Sequence, residues 1–486
     1  MSEQSSSSIK LVRCIMSKGN GENPVALGSD MIASFDSYES LESPFMAGKL
    51  LISDSKDFIN TYPIQGGENI EIELKTSFDE APVVYKFKVS GIGARVVKNK
   101  IQTYVLLLIS PEGLINETIR VQSPMVGNPE AIVAKMLGSE YLDSTKDFYS
   151  EPSRFEVRLN PSRTRPFDLI ANILRKTVSS KTDYKGNNST NTTETAQQIK
   201  GSAGFFFWET RRGYNFFSID ALCDEEKGKF AAPRLQAQSW GPYIEQFANT
   251  EISGDQRFLI ENAIFTSEID LMSSLRKGKY SSLMVFFNHS TGQYEEYVYK
   301  IKDSYDNMAH LGGQESVSLV PANQIELSDY PSRVMSALLD HETWYNEPGI
   351  ANPEDKEAQN PNKFADWQKY YAAQGAARTE LLKNQEATIK IPGNPLICAG
   401  DKVDIRLQNK APDDAKVKKP FDEESSGVYL VKEATQTYNF LEGNTGSLKT
   451  TLRLCRDSYG MKDKPSTHGD KLQKEVITYG KHRKAY

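Results

Sequence analysis

Apolar and polar residues alternate along much of this chain, in short stretches separated by glycine. Ile9 to Met16, Met31 to Glu39, and Leu50 with Ile52 show the period of two that belongs to strands with one buried face. The alternation resumes at Ile64, Ile70, Ile72 and Leu74, then over Val83–Val89 and Gln102–Ile109. Gly66-Gly67 makes a corner between two of these stretches, because glycine reaches positive φ without steric cost, and it sets Glu68 at the head of the next strand. Gly91-Ile92-Gly93 reads as a hairpin turn. Short strands with turns about every 8 to 12 residues predict a first β-barrel over residues 1–122.

The corner has a second copy. Gly400-Asp401-Lys402-Val403-Asp404-Ile405 repeats the glycine, acid and branched alternation of Gly67 to Ile72, so two related barrels are expected. Between them, over 123–256, the period becomes helical in Pro129–Gly138 and again from Pro166, each with proline in the first turn. Ser179 to Ser202 lacks large apolar residues and reads as a mobile loop. The most apolar hairpin follows, Gly204 to Ile219, with its turn at Arg211-Arg212-Gly213. Strand signals at Phe258–Phe265, Leu283–Phe287 and Tyr294–Ile301 begin a second, split barrel over 257–305 and 385–457, which resumes at Ala387–Ile391, Val428–Val431 and Leu448–Leu454. A mostly helical insert at 306–384 separates its halves, with Val334, Leu338 and Leu339 on one face and Phe364, Trp367, Tyr370, Tyr371 and Leu381 on a later one. Residues 458–486 form a basic, flexible tail; from Met461 on, seven Lys/Arg stand against three Asp/Glu. The fold class is therefore mixed α+β and multidomain: two related antiparallel β-barrel domains, an α/β insert and a helical insert.

At 486 residues the chain is too long for one core, which fits this division. A net charge of −6 excludes non-specific nucleic-acid binding as the role of the whole surface. The N-terminus is polar and no apolar run reaches about 18 residues, so the chain is expected to be made in a cytoplasm and not inserted in a membrane. Cys14, Cys223, Cys398 and Cys455 are scattered, which argues for buried thiols against a zinc site or disulfides. No cofactor, metal or catalytic site is expected. His341-Glu342 lacks the second histidine of a zinc helix, where Tyr345 stands, and Gly91-Ile-Gly93 has Val96 in place of the third glycine of a dinucleotide loop. Neither a phosphate loop nor a nucleophile elbow occurs. The aromatics of Phe205–Phe217 can stack on bases or sugars, but their successive apolar positions favour core packing. Candidate interface residues are Glu68 and Asp401 at the two corners, Arg211 and Arg212 in an exposed turn that either touches a neighbour or is simply solvated, and Lys481, Arg483 and Lys484 in a tail that either meets an acidic protein surface or DNA or, as the slightly favoured reading, only solubilises the terminus.

The order of parts, with Gly48–Asp54, Pro63–Ile70, the Pro166 helix followed by Phe205–Asp220, and Pro392–Val403, resembles the central baseplate hub proteins of T-even-type contractile-tailed phages, relatives of VgrG-like hubs. The resemblance implies a homotrimer in the virion baseplate. Two barrels per chain and three chains per ring would match a six-fold tail tube to a three-fold central spike. It also implies contacts with the spike protein, tail tube-initiating proteins, the tape-measure protein and baseplate wedge proteins, and a conduit for phage DNA. A mildly acidic chain suits that conduit, since a basic lumen would hold the phosphates. Two other classes stand beside it: a tail-tip cell-wall hydrolase carried in the helical insert, and a carbohydrate-binding adhesin using aromatics such as Tyr294 or Tyr297.

Overall fold

The computed structural model describes residues 8–76, 82–98, 101–180, 202–224, 239–245, 258–267, 270–289, 292–305, 308–312, 328, 330–338, 368–410, 421–440 and 445–461. The expected mobile loop, apart from its two ends, the His341-Glu342 pair, the 346–363 loop and almost all of the tail lie outside these residues.

In chain order the first part holds β1 (Ser8–Ser17), β2 (Val25–Ala26), β3 (Ile32–Ser40), β4 (Ala47–Asp54), helix α1 (Phe58–Thr61), β5 (Asn69–Thr76), β6 (Val83–Lys98) and β7 (Ile101–Ile109). Alternation does what it promises: β5 turns Ile70, Ile72 and Leu74 inward and its glutamates outward. Next come α2 (Pro111–Thr118), β8 (Met125–Gly127), α3 (Pro129–Leu137), β9 (Phe148–Ser150), β10 (Val157–Leu159), α4 (Pro166–Leu174), β11 (Phe205–Thr210), β12 (Gly213–Ser218) and α5 (Ile219–Cys223). The third part is β13 (Ser239–Glu245), β14 (Leu259–Ile260), β15 (Asn262–Ser267), α6 (Leu271–Arg276), β16 (Ser281–Asn288), β17 (Gln293–Lys300), α7 (Lys302–Tyr305), β18 (Arg333–Leu338) and α8 (Gln368–Leu382). The last is β19 (Gln385–Pro392), β20 (Lys402–Arg406), β21 (Gly427–Phe440) and β22 (Thr445–Arg456).

One 14-stranded sheet contains two copies of the same strand order: β3-β4-β7-β6-β5-β1 recurs as β15-β19-β22-β21-β20-β13. The correspondence keeps chain order, so β5 matches β20, β6 matches β21 and β7 matches β22. The two corners are built alike. Gly67 donates its N–H to Val89 O (2.7 Å) and Val89 donates back to Glu68 O (2.8 Å); Gly400 donates to Val431 O (2.9 Å) and Val431 donates back to Asp401 O (2.8 Å). Both glycines have positive φ, +84° and +91°. One residue later the ladder slips in both copies, between Val89 and Gly91 and between Val431 and Glu433. The copies differ in their first strand: β1 runs antiparallel to β5, whereas β13 runs parallel to β20.

The β21–β22 hairpin extends past its own module into the first one. Residues 433–439 of β21 pair with 34–40 of β3, and 445–447 of β22 pair with 8–10 of β1. The pairings of β3, β4, β7, β6, β5, β1, β22 and β21 thereby return to β3 in a closed cycle. Tyr438 and Leu448, both 0% exposed, complete the core around Phe35, Tyr85 and Phe87. Tyr438 stacks on Phe35 at 5.6 Å and shares a 2.9 Å hydrogen bond with Tyr85.

Four expectations are corrected. Gly91-Ile92-Gly93 is no hairpin turn: β6 runs through it with two register slips, and the strands reverse beyond Lys98. Leu283–Phe287 and Tyr294–Ile301 do not join the second module; β16 and β17 form a separate sheet with β18. Val334 and Leu338 lie on a strand, β18, not on a helix of the insert. Their spacing of four suits a strand face as well as a helix face, and Met335 and Ala337 on the other side pack against the core that α8 covers. Finally β13, within the stretch assigned to the α/β part, belongs to the large sheet beside β20. The aromatic hairpin forms as expected, β11 against β12, with Phe207, Trp208, Tyr214 and Phe216 buried. α8 likewise brings in Tyr371 and Leu381.

The corners respond differently to a methyl group. A Cβ at Gly67 meets nothing within 4 Å, whereas at Gly400 it meets Trp208 Cζ2 at 2.7 Å. Gly67→Ala should therefore lose only the left-handed backbone penalty of about 1–2 kcal/mol. Gly400→Ala should lose about 1–3 kcal/mol more through overpacking. Urea midpoints of the two variants check this, and equal losses would refute the wedge at Trp208.

Candidate assembly site

The turn of the aromatic hairpin sits where the two modules meet. Arg211 N–H donates to Glu39 Oε1 (2.9 Å) on β3, and Ala399 N–H donates to Glu39 Oε2 (3.0 Å) from the second corner. Arg212 clamps Asp401 with two bonds of 2.8 and 2.9 Å and also donates to Leu396 O. Asp401 further accepts from Trp240 Nε1 (2.8 Å) and Cys398 N–H (3.0 Å). Burial pushes the Glu39 carboxyl up, against the pull of the two N–H donors and the arginines. The turn is thus a three-way clasp within the chain and half-buried, not the exposed turn expected. Asp401 is wholly buried, and the Arg212 side chain is largely so.

Glu68 is the first module's counterpart of Asp401. Both carboxylates accept an N–H from three residues back, Gln65 for Glu68 and Cys398 for Asp401. Glu68 also takes Gly66 N–H and sits 3.4 Å from Lys18. Both acids therefore act as corner locks within the chain, each holding the glycine turn that starts its strand. Lys481, Arg483 and Lys484 lie outside the described residues.

Two further polar clusters fix the α/β part. Lys146 bridges Glu112 and Glu209 at 2.6 Å each, while Glu209 also receives Met46 N–H and Ser110 Oγ–H from the edge of the first module. Deeper in, Arg378 on α8 donates to Asp457 (2.7 Å), Asp220 (3.1 Å) and Ala309 O (2.5 Å), and all three charged side chains are 0% exposed. His310 and Leu311 N–H also reach Asp457. Burial alone would raise the Asp457 carboxyl, but the Arg378 charge and these donors outweigh it and hold it well below the usual range. No sequence signal gave this cluster, whose members come from α5, α8 and the end of β22.

Among the described residues no cluster suited to a metal ion occurs. The four cysteines are buried, and burial pushes the Cys14 thiol up to about 12, far from a reactive thiolate. No described helix is long and apolar enough to cross a membrane. Tyr294 is exposed, while Tyr297 packs partly against the core of its own sheet.

No protein-family model matches the chain, and none of the curated proteins does. Among solved structures it is similar to the tail protein from Neisseria meningitidis MC58, at 12% identity over 92% of this chain and 96% of that one, with a TM-score of 0.46. It is similar to the 43 kDa tail protein of prophage MuSo2 from Shewanella oneidensis at 9% identity, over 92% and 98%, TM-score 0.46. It is also similar to an E. coli component of the type VI secretion system, itself described as similar to T4 bacteriophage tail proteins, at 9% identity over 93% and 78%, TM-score 0.40. These are proteins of phage tails and of a secretion system, the class named by the resemblance in the sequence.

The buried charges give two tests. Asp457→Asn leaves Arg378 short of a counter-charge and should cost about 3–5 kcal/mol in urea unfolding; a loss under about 1 kcal/mol would show the pair to be expendable. Lys279 is buried against Asn384 Oδ1 (2.5 Å), and desolvation lowers its pKa to about 8 despite Glu380 and Asp457. The unfolded chain keeps that proton up to the ordinary lysine range, so stability should rise with pH from about 8 toward 10, by at most about 1.4 kcal/mol per pH unit. Lys279→Met should remove this rise in pH-dependent unfolding.

Proposed function

We propose that this chain is a structural baseplate hub of a contractile phage tail, and that it works as a trimeric ring. The observation that carries the reading is the internal duplication: two modules with one strand order, one corner and one ladder slip. A chain with two quasi-equivalent modules lets three copies present six similar units around one axis. Such a ring adapts a six-fold tail tube on one side to a three-fold central spike on the other, and cyclic closure satisfies each interface in turn. In this reading the two modules are tube-like barrels, residues 1–122 being the first, and the α/β part and the sheet of β16–β18 with α8 are appended to them. The spike protein, tube-initiating proteins, tape-measure protein and wedge proteins are the partners, DNA passes through the centre, and the basic tail with Lys481, Arg483 and Lys484 is free to reach outside the ring. The role is mechanical and asks for no catalytic group.

The ring should be visible directly. A chain of 54.5 kDa should assemble to about 160 kDa, and negative-stain images should show a particle with a central hole. A chain that stays monomeric both alone and when co-expressed with the spike protein would defeat the proposal.

A further inference from the structure

Each module carries a long hairpin at the same place, but among the described residues only one of the two is seated against a further strand. In the second module, β21 beyond its ladder slip lies against β3, with Tyr438 opposite Phe35 and Thr437 opposite Asp36. In the first module, β6 beyond its ladder slip has β7 on one side and, among the described residues, no strand on the other from Gly91 to Lys98. This segment is apolar and exposed: Val96 is 60% and Val97 65% exposed, where the matching Tyr438 is 0%. The seat is missing in the same way. β15, the counterpart of β3, pairs with β19 only among the described residues. Its Ala263 and Phe265 are partly covered, and Ile264 is 52% exposed.

Resting on the ring reading above, we infer that the β6–β7 hairpin of one chain adds to the β15 edge of a second copy, as β21–β22 adds to β3 within one chain. The register follows from the correspondence of the modules. Leu108 and Leu454 occupy matching places against Val89 and Val431, so Val96 matches Thr437 and Val97 matches Tyr438. Leu108 and Leu454 also face Gly48 and Ala387, which makes Ile264 the match of Asp36 and Ala263 the match of Phe35. Antiparallel addition then sets Val96 opposite Ile264 and Val97 opposite Ala263 of the next chain. Backbone pairing supplies adhesion along the edge, and Val97 covers the core side, while the lone edges are removed from water. The contact is head-to-tail, so repeating it around an axis closes a ring.

The test is oxidative cross-linking of full-length chain carrying Val96→Cys with Ile264→Cys; the native cysteines are buried and give little background. The double variant should yield covalent dimers and trimers that neither single variant gives. Val97→Asp, at a side chain exposed in the lone chain, should leave the unfolding midpoint unchanged and abolish the ring in sedimentation. A ring by mass without the inter-chain cross-link, or one that survives Val97→Asp, overturns this contact and leaves the ring reading standing. A cross-link confined within single chains also overturns it, by showing that the edge is covered in cis. Sedimentation as a monomer at every concentration removes the ring itself.

Discussion

The structure depends on one strand exchange: the last hairpin of the chain completes the core of its first module. Without β21 and β22, β3 and β1 would present unpaired backbone to solvent, and Phe35 and Tyr85 would lose the ring that packs against them. Unpaired strand edges are templates for wrong pairing, so filling them from within the chain removes a hazard as well as adding contacts. Tyr85 and Tyr438 are 353 residues apart, so the first core closes only after nearly all of the chain is present. The two modules share one continuous sheet, even though each has its own hydrophobic cluster.

The second constraint is polar. Among the described residues the aromatic hairpin and α8 are pinned by buried charges with partners from elsewhere: Glu39 and Arg212 at the hairpin turn, Glu209 below it, and Arg378 between α5, α8 and the end of β22. Burying such groups carries a desolvation cost that hydrophobic residues of equal volume avoid, so their benefit lies in excluding misplaced docking. A slip of the aromatic hairpin by one residue would take Arg211 N–H from Glu39, Arg212 from Asp401, and Met46 N–H and Ser110 from Glu209, each in a dry interior. Apolar surfaces tolerate such slips; these do not.

How much of this could be read from residues follows the range of the forces involved. Alternation and the glycine–acid corner are local, and both corners and most strands stood in the sequence. β13 did not, because Gly241-Pro242 interrupts the alternation of Trp240, Tyr243 and Ile244. β18 was ambiguous because residues four apart share a face in a strand and in a helix. Arg211-Arg212 read as an exposed turn since charge in a turn usually is solvated, and nothing local tells that the partner of Arg212 stands 189 residues further on. Glu68 and Asp401 stood out in the sequence as candidate interface residues, and in the structure each carboxylate accepts N–H groups of its own glycine corner. The Arg378 cluster had no local trace at all.

The reversed first strand makes a difference between the copies intelligible. In the first module β1 is antiparallel to β5 and offers its free end to β22, so the incoming hairpin is held on both sides. In the second, β13 runs the other way beside β20 and pairs with the short β14. An incoming hairpin could not reproduce the β1 ladder there with the same strand direction. Only the β15 side keeps the geometry of its counterpart.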